Sequence, residues 1–245
     1  MKITKTLLDK MNRLNRKHRL VRRGDRILIA LSGGPDSTAL AHLLSLWKQK
    51  HGLKLAAAHL HHGLSSQNDR ALELSKKTAK ELGMPFYFKK ADVRGFAKTK
   101  KRSLEEAGRD MRYAFFSSLA SRGRFNKVAT AHTRDDQAET VLMRIIRGCG
   151  LHGLSGIPAR RALGRSEVIR PLLDCRKKEL LTFLAGNKLS FQKDRSNASA
   201  RFTRNRVRAE LLPWISKHMN PSIHDTLAGL AERALAPGKS GRRSR

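Results

Sequence analysis

Acidic residues are scarce in this chain. Its 245 residues carry 20 Asp and Glu against 52 Lys and Arg, a formal charge of +32 at pH 7. Both halves of the chain are basic, which excludes a basic tail on an otherwise neutral protein. Solubility needs a smaller and more mixed charge, so a field of this size points to a polyanionic partner, nucleic acid. Cysteine is scarcer still. Cys149 and Cys175 are the only two and form no CxxC pair, which excludes a disulfide framework and a structural zinc site. No apolar run approaches the ~20 residues of a membrane span, so no membrane partner is expected. Residues 1–20 are polar, basic and periodic and lack the apolar centre of a signal peptide; a cytoplasmic location is the expectation. Apolar residues make up a low 39%, enough for a core once a sheet is covered on both faces.

Strand and helix patterns alternate along the chain. A basic helix over 4–19 precedes strand 26–31, helix 37–49, strand 54–60, helix 67–82 and strand 85–90. A loop or short helix carries Lys98–Arg102. Helix 103–122 follows, then strand 126–131 and helix 135–147. Residues 148–165 read as a Gly- and Pro-rich loop, and 168–172 as a fifth strand. Helices are expected over 176–186, 203–217 and 222–235. This order predicts an α/β fold with a doubly wound parallel sheet, Rossmann-like, with ligands at the carboxyl ends of the strands and a C-terminal helical segment. The expected divisions are a basic N-terminal helix (1–23), a catalytic domain (24–216), a C-terminal helix (217–236) and a disordered basic tail (237–245).

Between the first strand and its helix stands Ser32-Gly33-Gly34-Pro35-Asp36-Ser37. Glycines let backbone N–H groups turn inward, and the helix N-terminus adds a positive dipole, so the segment is built as an anion cradle. No Gly-Lys-Ser/Thr follows, which excludes a Walker A loop. Ser-Gly-Gly-x-Asp-Ser resembles the pyrophosphate loop of the N-type ATP pyrophosphatases, whose members cleave ATP between its α and β phosphates.

A second constellation, His132-Thr133-Arg134-Asp135-Asp136-Gln137-Ala138-Glu139-Thr140, follows the strand ending at Ala131. A helix beginning near His132 would line up His132, Asp136 and Glu139 or Thr140 on one face, with Asp135 directed elsewhere as a cap. One imidazole and two carboxylates could hold a metal, a phosphate chain or an ammonium. Zinc suits them poorly for want of a third soft ligand, and Mg²⁺ suits a site that also takes ATP.

Several further segments occur in order: His59–Leu64, Ser103–Tyr113, Arg147–Gly150, Gly153–Pro158, Arg170–Leu173, Asp194–Asn197 and Arg204–Arg208. With the two constellations above, they resemble the tRNA(Ile)-lysidine synthase family from about residue 24 to about 216. The resemblance implies an adenine nucleotide alpha hydrolase-like fold. It also implies adenylation of the C2 oxygen of the wobble cytidine in a CAU-anticodon tRNA(Ile), then attack by the side-chain amine of free L-lysine. On this basis Ser32, Gly33, Gly34, Pro35, Asp36 and Ser37 hold the phosphates of ATP, and Ala30 and His59 the adenosine. Asp36 binds Mg²⁺. His132, Asp136 and Arg204 join Asp36 as catalytic residues; Glu106, Arg109, Arg112, Glu139, Arg206 and Arg208 serve lysine or tRNA. The oligomeric state is left open, a homodimer among the options.

The chain departs from this family in three respects. His61 stands where Asp or Asn is usual. Gly108 interrupts a helix at a cost of ~1 kcal/mol. Many members continue into further tRNA-gripping domains, so the chain is expected to be a minimal form, a fragment, or a protein whose charge substitutes for that surface. The alternatives from other classes are a tRNA thiolase on the same scaffold, which needs a reactive cysteine, and a non-catalytic RNA-binding relative.

Overall fold

The computed structural model describes residues 2–63, 66–123, 125–192 and 203–235; Leu64, the Asp194–Asn197 motif and the tail 237–245 lie outside them. These residues divide into two compact units, described separately below. One holds the described residues up to Thr133 and from Ala159 to Gln192, the other Arg134–Pro158 and the described residues from Thr203 onward.

The first unit is built on one mixed α/β sheet. Its strands are β1 (Arg26–Ala30), β2 (Lys54–His61), β3 (Phe86–Lys90), β4 (Lys127–Ala129), β5 (Arg160–Leu163) and β6 (Ser166–Ile169), in the order β3-β2-β1-β4-β6-β5. All neighbouring pairs are parallel except β5 with β6. Helices α1 (Lys2–His18), α2 (Pro35–His51), α3 (Ser66–Glu81), α4 (Val93–Thr99), α5 (Leu104–Arg122) and α7 (Lys177–Gly186) belong to this unit. Leu28 of β1 packs with Phe116 and Ala120 of α5. Alternation turns Ile27 and Ile29 to the opposite face, where α2 crosses the strand. Both faces are therefore covered, as a parallel sheet requires. The basic α1 buries Leu7, Met11 and Leu14 and anchors Lys10 on Glu179 of α7 at 2.6 Å.

The expected parallel sheet is present, with one antiparallel strand, β5, added at its edge. Residues 148–165 do not form one loop: they contain a 3₁₀ turn, Leu151–Ser155, and β5. Gly164 (φ +58°) opens a two-residue turn that pairs Leu163 with Ser166. β6 starts two residues before the expected strand and stops at Ile169; the N–H of Arg170 still bonds the Ala159 carbonyl (3.0 Å), in register with β5, and Pro171 has no N–H to carry the pairing further.

The second unit contains α6 (Arg134–Ile146), α8 (Thr203–Arg206), α9 (Leu212–His218) and α10 (Ile223–Leu235). Ala138 and Val141 of α6 pack with Val207, Leu212, Leu227 and Ala231. The single helix expected over 203–217 is broken: Val207–Leu211 winds as a π-helix between α8 and α9. Pro213, in the first turn of α9, has no N–H for the preceding turn, and the wider π winding absorbs the mismatch.

Candidate active site

Leu31–Ser37 leaves the carboxyl end of β1 and enters α2. Gly33 adopts φ +79°, and a Cβ there would lie 2.7 Å from the backbone carbonyl of Ala71, so only glycine fits. Ser37 Oγ accepts from the Ser32 N–H at 3.1 Å, lies 3.0 Å from Ser32 Oγ and donates to the Gly34 carbonyl at 3.0 Å. The two serines thus tie the ends of the loop together. Pro35 begins α2, where a missing N–H costs nothing. Asp36 lies in the first turn of α2 and meets the ammonium of Lys177 at 3.5 Å.

Ala30 ends β1 opposite Ala58, and His59 lies one residue further along β2. The buried His59 Nδ1 is 2.9 Å from the Leu31 carbonyl and 3.1 Å from Ser75 Oγ. Burial pushes its imidazole below the ordinary value, so it is neutral and its Nδ1–H donates to Leu31. The departing residue His61 is buried too, with Nε2 3.1 Å from Asp69 and Nδ1 accepting from the Gly63 N–H.

On α5, Glu106 closes a capping box: its Oε2 accepts from the Ser103 hydroxyl at 2.8 Å and the Ser103 N–H at 3.1 Å. These bonds hold its carboxyl below the usual range. Glu106 is thereby given a local helix-starting task. Arg112 reaches His62 Nε2 at 3.3 Å. Gly108 acquires its reason here, since a Cβ would stand 3.2 Å from the His62 ring. Arg109 lies over the Tyr113 ring, 5.2 Å from its centroid.

His132 does not begin a helix. Residues 130–133 are irregular, α6 starts at Arg134, and His132 Nδ1 lies 3.0 Å from Thr130 Oγ1. His132 thus lies before the helix that carries Asp136 and Glu139 rather than in its first turn. Asp135 meets His224 at 3.5 Å. In the second unit Glu139 is almost fully buried and spans two arginines. Its Oε1 accepts from Arg208 Nε at 2.5 Å, and its Oε2 from Arg204 Nε at 3.0 Å and Arg208 Nη2 at 2.8 Å. Asp136 Oδ1 lies 3.3 Å from both guanidinium groups. Arg206 is different, an exposed residue paired one turn on with Glu210 at 3.8 Å.

The chain as a whole has counterparts among known proteins. The family model described as PP-loop domain matches residues 3–215. The chain belongs to the PP-loop family. It is 40% identical over 217 residues to the tRNA(Ile)-lysidine synthase of Clostridium acetobutylicum, covering 88% of this chain and 46% of that protein. It is 39% identical over 230 residues to the enzyme of the same name from Geobacter sulfurreducens, covering 92% and 47%. The chain thus spans about half the length of these curated relatives. Its fold is similar to that of the U34-tRNA thiolase NcsA from Methanococcus maripaludis: TM-score 0.76, 18% identity, 94% of this chain and 80% of that one.

Lys177, beside the PP-loop carboxylate, was not singled out in the sequence. The signal was present: a basic residue opening the helix that follows the last parallel strand, where helix N-termini favour anions. Within the first unit the structure brings Ala30, His59 and the PP-loop to one end of the sheet. Within the second it joins Asp136, Glu139, Arg204 and Arg208, and leaves Arg206 apart.

Proposed function

We propose that this PP-loop chain carries out the reaction of a tRNA(Ile)-lysidine synthase. In that reaction the C2 oxygen of the wobble cytidine in a CAU-anticodon tRNA(Ile) attacks the α-phosphorus of ATP and diphosphate leaves. The side-chain amine of free L-lysine then attacks C2 and AMP leaves. The observation that carries this reading is the 40% identity over 217 residues to the Clostridium acetobutylicum enzyme.

The local geometry supports roles for individual residues. The PP-loop amides, the Ser32 and Ser37 hydroxyls and the N-terminus of α2 would take the departing diphosphate, charge stabilisation that needs no rearrangement because the serines already fix the loop. Ala30 and the neutral His59 would border the adenosine. Asp36 fits Mg²⁺: a carboxylate that already attracts an ammonium, beside a phosphate cradle, is the hard oxygen donor that this ion combines with substrate phosphates. Among the described residues no group of three or more His, Cys, Asp or Glu could hold a metal, which accords with an ion shared with the nucleotide. When bound, Mg²⁺ would neutralise charge on the phosphate chain. Lys177 would release Asp36 to it and turn to the phosphates.

His132 would steady charge on the α-phosphate, and Arg109 and Arg112 would contact the RNA. Asp136, the more exposed of the two carboxylates in the second unit, suits the ammonium of the incoming lysine. Glu139, enclosed by arginines, would hold Arg204 and Arg208 in place for phosphate or RNA. Arg206 would add long-range attraction only. Thiolation is poorly served, because burial pushes the Cys175 thiol up to about 12. None of the described helices is long and apolar enough to cross a membrane, in keeping with a cytoplasmic enzyme.

The test is incubation with CAU-anticodon tRNA(Ile), ATP, Mg²⁺ and labelled lysine. Label in RNA with matching AMP is expected. Sulfur transfer, or ATP binding without label, would overturn the proposal.

A further inference from the structure

At the amino end of the sheet, away from the PP-loop, the first unit holds a cavity of about 360 Å³. Strand alternation builds it. Arg26 opens β1 and Lys54 opens β2, its partner in register, while Pro85 stands directly before β3. Arg26, Lys54, Ala56, Pro85 and Tyr87 all project to the face on which α5 packs, because Ala56 and Ala58 lie there and Tyr87 is paired with Ala58. α5 ends at Arg122, and the chain turns through Gly123 to Phe125. A Cβ on Gly123 would stand 2.3 Å from the Phe125 ring, so the turn is packed directly against that ring.

The lining combines rings and cations. The buried Phe125 and the 38% exposed Tyr87 lie 6.2 Å apart between centroids and meet at 77°, forming an aromatic corner. Arg26 is fixed beside it, 6.0 Å from the Phe125 centroid and donating to the Gly123 carbonyl at 3.0 Å. Lys54 and Arg122 are exposed, and neither forms an ion pair among the described residues. No carboxylate lines the cavity. Asp25, next to Arg26, is taken up by the Asn126 amide at 2.6 Å and the Arg22 N–H at 2.7 Å. A solvated basic face needs no aromatic corner, and a plain apolar cavity needs no ring of cations. Together they suit a ligand that is a flat ring at one end and an anion at the other. The volume lies in the range of small-molecule clefts and admits one nucleotide rather than a duplex.

We propose that this cavity takes one unstacked nucleotide of the RNA substrate, its base in the Tyr87–Phe125 corner and its phosphate on Lys54 and Arg122. The site rests on the reading that the substrate is RNA. It lies at the opposite end of β1 from the PP-loop, about 13 Å away along the strand, and so holds the RNA at a point other than the reacting base. Stacking accepts every base, so the cavity supplies grip and leaves specificity to the reacting centre.

A free mononucleotide presents the same ring and phosphate, so the experiment has an arm for each source. Binding of CAU-anticodon tRNA(Ile) across a salt series is measured for the full chain and for Tyr87→Ala, Tyr87→Phe, Lys54→Gln and Arg122→Gln. Tyr87→Ala should weaken tRNA binding about fivefold or more with the salt slope kept, since stacking releases no counterion, and Tyr87→Phe should retain the affinity. Each charge variant should lower the log–log slope by about 0.7 in magnitude, the increment for a single strand. ATP affinity should hold throughout. Lys76→Gln removes an exposed cation of α3 outside the cavity and should change the slope by less. Cavity variants that all behave as Lys76→Gln does would overturn the site while leaving the RNA reading intact. In the second arm AMP is added to protein saturated with ATP. A further equivalent bound by wild type and lost in Tyr87→Ala, with tRNA affinity unmoved, would overturn the RNA assignment and give the cavity to a free mononucleotide. Wild-type protein that binds no RNA would overturn both readings.

Discussion

Replacing Glu139 by Gln removes one charge and leaves the shape nearly unchanged, so its effect can be worked from the hydrogen bonds. The side chain is 3% exposed and accepts three hydrogen bonds from Arg204 and Arg208. An amide keeps one acceptor oxygen and puts an NH₂ group against a donor-only guanidinium. Neutralising one member of a buried pair costs about 3 to 5 kcal/mol. Arg204 and Arg208 are 26% and 29% exposed, so water recovers part of that. The expected loss is then about 2 to 3 kcal/mol. The chain has two tryptophans, Trp47 in the first unit and Trp214 in the second. A Trp47→Phe background therefore lets fluorescence follow Trp214 alone. With a urea slope of about 2 kcal/mol/M, the midpoint of that transition should fall by about 1 to 1.5 M. An unmoved midpoint with loss of lysine incorporation would refute the clamp and make Glu139 a direct lysine ligand.

Asp36→Asn should abolish AMP formation while leaving the circular dichroism spectrum intact, because the carboxylate is partly exposed and serves no packing; normal turnover would remove Asp36 from the metal site. Gly33→Ala should abolish nucleotide binding, since a φ of +79° and the Ala71 carbonyl both reject a Cβ; retained ATP affinity by calorimetry would refute this. Native protein should be alkylated at Cys149 and not at Cys175, whose thiol is pushed up to about 12; peptide mapping that finds label at Cys175 would refute this. The hydrogen bond from Lys127 holds the Glu167 carboxyl below its ordinary 4.5. Its contribution to stability is therefore full above that value and lost as pH falls through the lower folded one. Glu167→Gln should lower stability at neutral pH, where this contribution is full, and flatten the acid limb so that variant and wild type converge at low pH; an unchanged acid limb would refute the pairing.

The parallel strands and the PP-loop were legible because their signals are local. Ile27–Ala30 is a buried apolar run, and Gly33-Gly34 before Pro35 encodes one backbone path. β5 was not legible: Arg160–Leu163 is a polar, largely exposed edge strand, and its only strong mark is Gly164 in the turn. The start of α6 was legible to within one residue, 135 against Arg134, while the alternative start near His132 is not adopted because residues 130–133 are irregular. The placing of Arg204 and Arg208 on Glu139 depends on partners more than sixty residues apart, a matter for packing rather than local pattern. The sequence did show why charge collects there, and only the fold shows which charges cancel.

The Gly33 carbonyl, at the crest of the PP-loop, accepts a hydrogen bond from the Gln192 N–H at 2.9 Å, and the Gln192 side chain donates to Gln67 at 3.1 Å. The loop is therefore not a portable cassette of strand, turn and helix. Its crest is braced by backbone that arrives only after the whole sheet has been laid down. A graft of residues 26–51 onto another α/β scaffold would carry every residue of the motif and still lack the strut that holds its curvature.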